Sequence, residues 1–149
     1  MDSVILKPMS LKSLYDALRK VHGFILVEGY DEKVNRAAVE SRKVNVLLSP
    51  EKQFSKDSLQ QRHSGLNHIL CKLAAQHNVG IGIDVDFLLH QQSEGRVHSL
   101  GKIMQNISLC NKYRVKQYLI DRKGRNEKDL KKLGYCLGIP PGKVHIITC

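Results

Sequence analysis

Two short basic constellations have residue types and spacings suited to holding phosphate. Arg62 and His68 flank Ser64-Gly65-Leu66-Asn67, which opens a helix-length apolar pattern. A helix N-terminus favours anions, and an arginine beside it can give two hydrogen bonds to one phosphate. The plainer reading of the same residues is an arginine that anchors a loop and a histidine packed at the surface. Further on, Arg122, Lys123 and Arg125 surround the flexible Gly124. Asp129, four residues after Arg125, lies where it can pair with that guanidinium and hold it. The plainer reading here is a solvated basic loop.

A second chemistry competes for the same end of the molecule. Glu28, Asp84 and Asp121 each close an apolar run, with His63 or His90 as possible neighbours. Carboxylates of this kind suit Mg²⁺ or Mn²⁺, and a metal-dependent phosphoesterase would use them to clamp a phosphoryl group. Against it, the sequence has no HxH or HExxH pair to supply a dense ligand cluster. His22, His77 and His145 fall away from that end. Nucleophilic catalysis has less support. Cys71, Cys110, Cys136 and Cys149 are widely and irregularly spaced, with no CxxC pair. Cys71, Cys110 and Cys136 fall on or beside apolar helix faces, which predicts buried, reduced thiols; burial makes a thiol inert.

Charge favours the phosphate-holding reading. Twenty-four Lys and Arg face fourteen Asp and Glu, a formal net charge of +10. A field of that size attracts polyanions and raises their rate of encounter. Aromatic residues are 5% of the chain and there is no Trp. Stacked-aromatic recognition of single strands therefore fits less well than phosphate contacts that sense shape. The longest apolar runs have strand length, well short of the roughly 20 residues of a membrane helix. The start, MDSVILKP, shows no basic-then-apolar leader pattern. The expectation is a cytoplasmic protein with no membrane partner.

The elements that must position these residues alternate regularly. Strands are predicted at Val4–Leu6, Phe24–Val27, Val44–Leu48, Val79–Val85, Val115–Ile120 and Val144–Ile147. Helices are predicted from Ser10 to His22, Asp31 to Arg42, Gly65 to His77, Arg96 to Tyr113 and Glu127 to Leu137, with one loose turn at Phe87–His90. The polar stretch from Glu51 to Ser64 is long for such a connection, a length usual for functional loops. Continuous apolar strands crossed by helices mean a parallel sheet covered by helices. Two arrangements satisfy the order: an open doubly wound sheet, or a section of a β/α barrel. A complete eight-unit barrel needs about 200 residues or more. The absence of GxGxxG and GxxxxGK[ST] weakens the nucleotide-binding versions of the open sheet. Residues 1–149 form one domain in either case.

Specific stretches carry a resemblance to a known family. VNVLLSP (Val44 to Pro50) is followed by RHSGLNHILCKLAAQHNVGIGI (Arg62 to Ile83). LGKIMQNISLCNKYRVK (Leu100 to Lys116), DLKKLGYCLGI (Asp129 to Ile139) and KVHIIT (Lys143 to Thr148) come after. In this order and spacing they resemble ribonuclease P protein component 3, the barrel-type subunit of archaeal and eukaryotic ribonuclease P. The likeness extends more weakly back to Val4. It implies an incomplete parallel β/α TIM-like barrel of about six strands and five main helices, shortened by about two N-terminal βα units. It implies a non-catalytic subunit that stabilises the catalytic RNA with the component-2 protein and other ribonuclease P proteins. The holoenzyme then removes 5′ leaders from precursor tRNA, with no cofactor on this chain and Mg²⁺ dependence residing in the RNA. Arg62, His68, Arg36, Lys112 and Lys143 match basic family positions and become RNA-contact candidates beside Arg122, Lys123 and Arg125. Lys112 at a helix end is also explained by the helix dipole, and Arg36 equally by an ordinary surface charge. Met104, Gln105 and Asn106 flank the apolar stripe of the long helix as a possible protein-contact surface.

Overall fold

A computed structural model describes residues 2–52 and 63–149. Its elements are β1 (Ser3–Leu6), α1 (Leu11–Lys20), β2 (Phe24–Glu28), α2 (Glu32–Glu40), β3 (Val46–Leu48) and α3 (His68–Gln76). They continue with β4 (Gly80–Asp84), α4 (Val85–His90), α5 (Ser93–Tyr113), β5 (Gln117–Asp121), α6 (Glu127–Leu137) and β6 (Val144–Thr148). Helix starts follow side-chain chemistry: Ser10, Asp31, Asn67, Asp84 and Asn126 each accept a hydrogen bond from a first-turn amide. Gly138, at φ 112°, ends α6 in the left-handed region.

The six strands pair in sequence order, and every pair is parallel. A doubly wound sheet would reverse its strand order partway; this sheet does not, so the barrel section is the correct alternative. The sheet is strongly curled. Phe24 of β2 and Tyr118 of β5, which are not neighbouring strands, meet edge to face at 6.4 Å. Ser3 Oγ and Cys149 Sγ, at the outer strands, approach to 3.7 Å.

Alternation along the strands separates two apolar regions. Leu26, Val46, Leu48 and Ile120 point to the concave side, joined by the half-buried Ile5, Phe24, Tyr118 and Ile147. The opposite faces pack beneath the helices in two larger clusters, one including Val27, Leu47 and Leu70, the other Ile83, Leu119 and Leu137. The concave side is narrow, and two glycines of β4 make room there. A Cβ on Gly80 would lie 2.2 Å from a Tyr118 ring carbon, and one on Gly82 would lie 2.9 Å from Val46 Cγ1.

Several sequence expectations are adjusted. The turn at Phe87–His90 is a six-residue helix, α4, because Asp84 caps it through Phe87 N–H. α5 begins three residues earlier than Arg96, and α3 three residues later than Gly65. Cys71 and Cys110 are buried as expected, but Cys136 is exposed, one residue off the apolar face of α6. Asn106 is buried and donates to Ser64 O at 3.0 Å, so it supports the fold rather than an outer surface. Met104 is exposed.

Candidate nucleic-acid interface

Parallel strands bring their carboxyl ends to one rim, and there the chain sets carboxylates beside cations. Glu28 ends β2 and Asp84 ends β4; register and alternation place both on the concave side with Leu48 and Gly82. Lys52 Nζ sits between them, 2.8 Å from Glu28 Oε1 and 2.9 Å from Asp84 Oδ2. It also lies 4.3 Å over the Phe87 ring. Two of the three carboxylates of the phosphoesterase reading are thus held by a lysine of the chain itself. Asp121, one residue beyond the inward Ile120, turns to the other face and does not converge with Glu28 and Asp84. Among the described residues, no three His, Cys, Asp or Glu side chains are grouped to hold a metal ion.

The basic loop after β5 is tied down by aspartates at both ends. Asp86 Oδ2 accepts the Arg122 amide at 2.8 Å, and Asp121 Oδ2 accepts the Arg125 amide at 2.7 Å. Gly124 between them has φ 66°, the conformation that suits glycine. The Arg125 guanidinium donates to Asp86 Oδ1 at 2.8 Å and, through a still closer contact, to Asp121 Oδ1. Arg122 donates to Asp84 Oδ2 at 3.1 Å. Lys123 Nζ lies 2.8 Å from His90 Nε2, and His90 Nδ1 lies 2.6 Å from Asp86 O. An ammonium only donates, so Nε2 accepts from it and Nδ1 carries the proton shared with Asp86 O.

The electrostatics agree with the geometry. Burial works to raise the Asp84 pKa, but the Phe87 amide, Lys52 and Arg122 outweigh it and hold the carboxyl below its ordinary range. Burial likewise opposes ionisation of Asp86 and Asp121; hydrogen bonds from the Arg122 amide and the Arg125 side chain on the first, and from the Arg125 amide and side chain on the second, lower both. The hydrogen bond to Asp86, with that to Asp121, holds Arg125 more firmly charged. Such fixed guanidinium groups lose little further freedom when a phosphate arrives. The Arg122 side chain remains 40% exposed and that of Arg125 26%.

A second region lies between α3 and α5, a groove of about 670 Å³ whose lining includes His63, Asn67, His68, Lys112 and Tyr113. It brings two sequence candidates, His68 and Lys112, to one place, with the α3 N-terminus at its edge. Lys112 Nζ stands 5.5 Å from the Tyr113 ring centre. Arg62 lies outside the described residues.

The remaining candidates are dispersed. Arg36 pairs with Glu40 at 2.9 Å on the exposed face of α2. Lys143 is exposed at the entry to β6, the opposite end of the barrel from Arg125. Asp129 is exposed in the first turn of α6; Asp86 and Asp121 hold Arg125 in its place, because Asp121 already lies beneath the loop at the strand end. Lys52 and Asp86 carry geometry to which sequence reasoning assigned no role. The Asp84-Val85-Asp86 spacing at a strand end is the signal for Asp86. Lys52 had none, since its partners lie 24 and 32 residues away.

Comparison with known proteins gives a consistent family. Residues 4–145 match the family described as RNase P subunit p30. Ribonuclease P protein component 3 of Methanococcoides burtonii is 37% identical over 112 residues, spanning 75% of this chain and 43% of that protein. The protein of the same name from Methanocaldococcus jannaschii is 35% identical over 115 residues, 75% of this chain and 47% of its own. The chain therefore spans less than half the length of these curated relatives. A chain in the cryo-EM structure of archaeal ribonuclease P with mature tRNA superposes with a TM-score of 0.74 at 32% identity. That match covers 93% of this chain and 60% of the other.

Proposed function

This chain belongs to the RNase P subunit p30 family, and on that premise we propose that it is an RNA-binding, non-catalytic subunit of ribonuclease P. In this reading it stabilises the catalytic RNA together with the component-2 protein and other ribonuclease P proteins, and so supports removal of 5′ leaders from precursor tRNA. Mg²⁺ acts through the RNA and the chain carries no cofactor of its own. The chain works in the cytoplasm; its free cysteines fit a reducing compartment. No helix among the described residues is long and apolar enough to cross a membrane.

The observation that carries the reading is the family match over residues 4–145 on a barrel whose strand-end carboxylates hold the chain's own Lys52, Arg122 and Arg125. Carboxylates used in this way supply rigid cations rather than a metal centre. Arg122, Lys123 and Arg125 then contact phosphates at the carboxyl rim, His68 and Lys112 do so around the α3–α5 groove, and Arg62 is a further RNA contact. Arg36 and Lys143 add peripheral contacts, and Asp129 favours the α6 N-terminus by its charge. Native gel electrophoresis tests the assembly. The catalytic RNA and the component-2 protein are mixed with and without this chain in Mg²⁺. A slower-migrating complex that contains all three supports the reading. Migration unchanged by the chain overturns it.

A further inference from the structure

The net charge is not spread evenly between the two ends of the barrel. In an all-parallel sheet, every connection that runs from a helix into a strand lies at the amino end. Here those five connections are residues 21–23, 41–45, 77–79, 114–116 and 138–143. They contain Arg42, Lys43, Arg114, Lys116 and Lys143 and not one Asp or Glu. The opposite rim mixes its cations with Glu28, Asp84, Asp86 and Asp121, and they pair. The five amino-end connections therefore carry cations without carboxylates of their own.

Three of these cations share one groove. Arg114, Lys116 and Lys143, with His145, line a depression of about 280 Å³ between the end of α5 and the entry to β6. All four are exposed. Among the described residues, none of Arg114, Lys116 and Lys143 forms an ion pair. The helix dipole accounts for a cation in the last turn of a helix, such as Lys112, but its effect fades beyond that turn. Lys116 and Lys143 stand past it, at the starts of β5 and β6. Lys43 differs: its ammonium donates to Leu18 O at 2.9 Å and so has a structural use. Like charges gathered without counter-charges repel one another, and an external polyanion relieves the repulsion.

We propose that the amino-end groove formed by Arg114, Lys116, Lys143 and His145 is a further RNA-backbone contact surface, separate from the carboxyl-rim loop and from the α3–α5 groove. The inference rests on the RNA-binding reading and extends it to the other end of the barrel. Its ligand chemistry is the phosphodiester chain: exposed point charges along a groove suit a continuous polyanion. A chain that contacts RNA at both ends would lie between two RNA segments rather than against one.

The test is a salt titration of binding to a labelled transcript of the catalytic RNA. It compares the parent chain, an Arg114→Gln/Lys116→Gln/Lys143→Gln variant, and a charge-matched Lys12→Gln/Lys33→Gln/Lys128→Gln control, with thermal midpoints recorded for each. The proposal expects the groove variant to bind about tenfold more weakly, with a log–log salt slope shallower by about 2, while the control changes much less. Equal losses in variant and control would mean that only net charge matters and would overturn the proposal. Unchanged binding by the groove variant would overturn it and leave the RNA-binding reading standing. No binding by the parent chain would overturn both. Competition by polyglutamate as effective as by RNA, charge for charge, would assign the groove to an acidic protein instead.

Discussion

Lys52 Nζ lies 2.9 Å from Asp84 Oδ2 where β4 reaches the carboxyl rim, and only 1% of the Asp84 side chain meets solvent. Breaking this pair leaves a buried carboxylate without its main charge partner. Such losses cost about 3 kcal/mol, more than any surface pair is worth. Lys52→Met is therefore expected to lower unfolding stability by about that amount, read from urea denaturation at neutral pH. Asp84→Asn in the Lys52→Met background should recover part of the loss, because it removes a buried charge left with Arg122 as its ion-pair partner. A Lys52→Met variant as stable as the parent would show that the pair does not hold the rim.

The fixed geometry of Arg125 predicts a split between charge and shape. Arg125→Lys keeps the charge but cannot reproduce a planar guanidinium held between Asp86 and Asp121. The amides of Arg122 and Arg125 should then exchange hydrogen faster, as the loop loses one of its ties. Affinity for the catalytic RNA should fall in Arg125→Lys and fall further in Arg125→Ala, whose salt slope becomes shallower by about 1. Equal RNA binding by parent and Lys variant would mean that the loop acts by charge alone.

Burial pushes the Glu51 carboxyl up to about 7, from an ordinary 4.5. The folded protein thus holds a proton that the unfolded chain releases above about pH 4.5, so this group removes stability as pH rises from there towards 7. Glu51→Gln abolishes that dependence. The variant should gain on the parent progressively across the window and level off at a difference of about 3 kcal/mol above it. The stability of both, measured by denaturation at a series of pH values, checks this; a difference that does not vary with pH would contradict it.

The close approach of Gly80 to Tyr118 predicts coupling between them. Gly80→Ala places a methyl against the ring and is expected to cost about 2 kcal/mol. In a Tyr118→Ala background the same change should cost much less, since the 2.2 Å contact disappears. A double-mutant cycle of unfolding free energies reads the coupling directly. Additive effects would show that the concave side is looser than its geometry implies.

The sequence revealed what depends on local periodicity and capping. Ser10 and Asp31 marked helix starts that the structure keeps, and α6 begins and ends where its pattern says. Strand and helix alternation alone fits an open sheet and a barrel equally; the family resemblance pointed to the barrel, and strand order and curl bear it out. The candidate site was legible in residue type but not in partnership. Arg125 was visible as a loop cation, and Asp129 looked like its holder because spacing along the chain was the only guide. The actual holders include Asp86, 39 residues away and brought near by adjacent strands. Lys52 was hidden for the same reason. The basic amino end could be found only once the strand direction was known, since its cations are scattered through five separate connections.

The proposed role as a subunit acting upon a catalytic RNA can be measured directly. The direct measurement is the rate of 5′-leader removal from precursor tRNA by the catalytic RNA and the component-2 protein, with and without this chain. A full-length component 3 relative is run in parallel to show that the mixture is competent. A clear rise in rate is expected when the chain is added, reduced by Arg122→Gln/Arg125→Gln and absent when the RNA is omitted. A rate unchanged by the chain, in a mixture that the full-length relative activates, would contradict it.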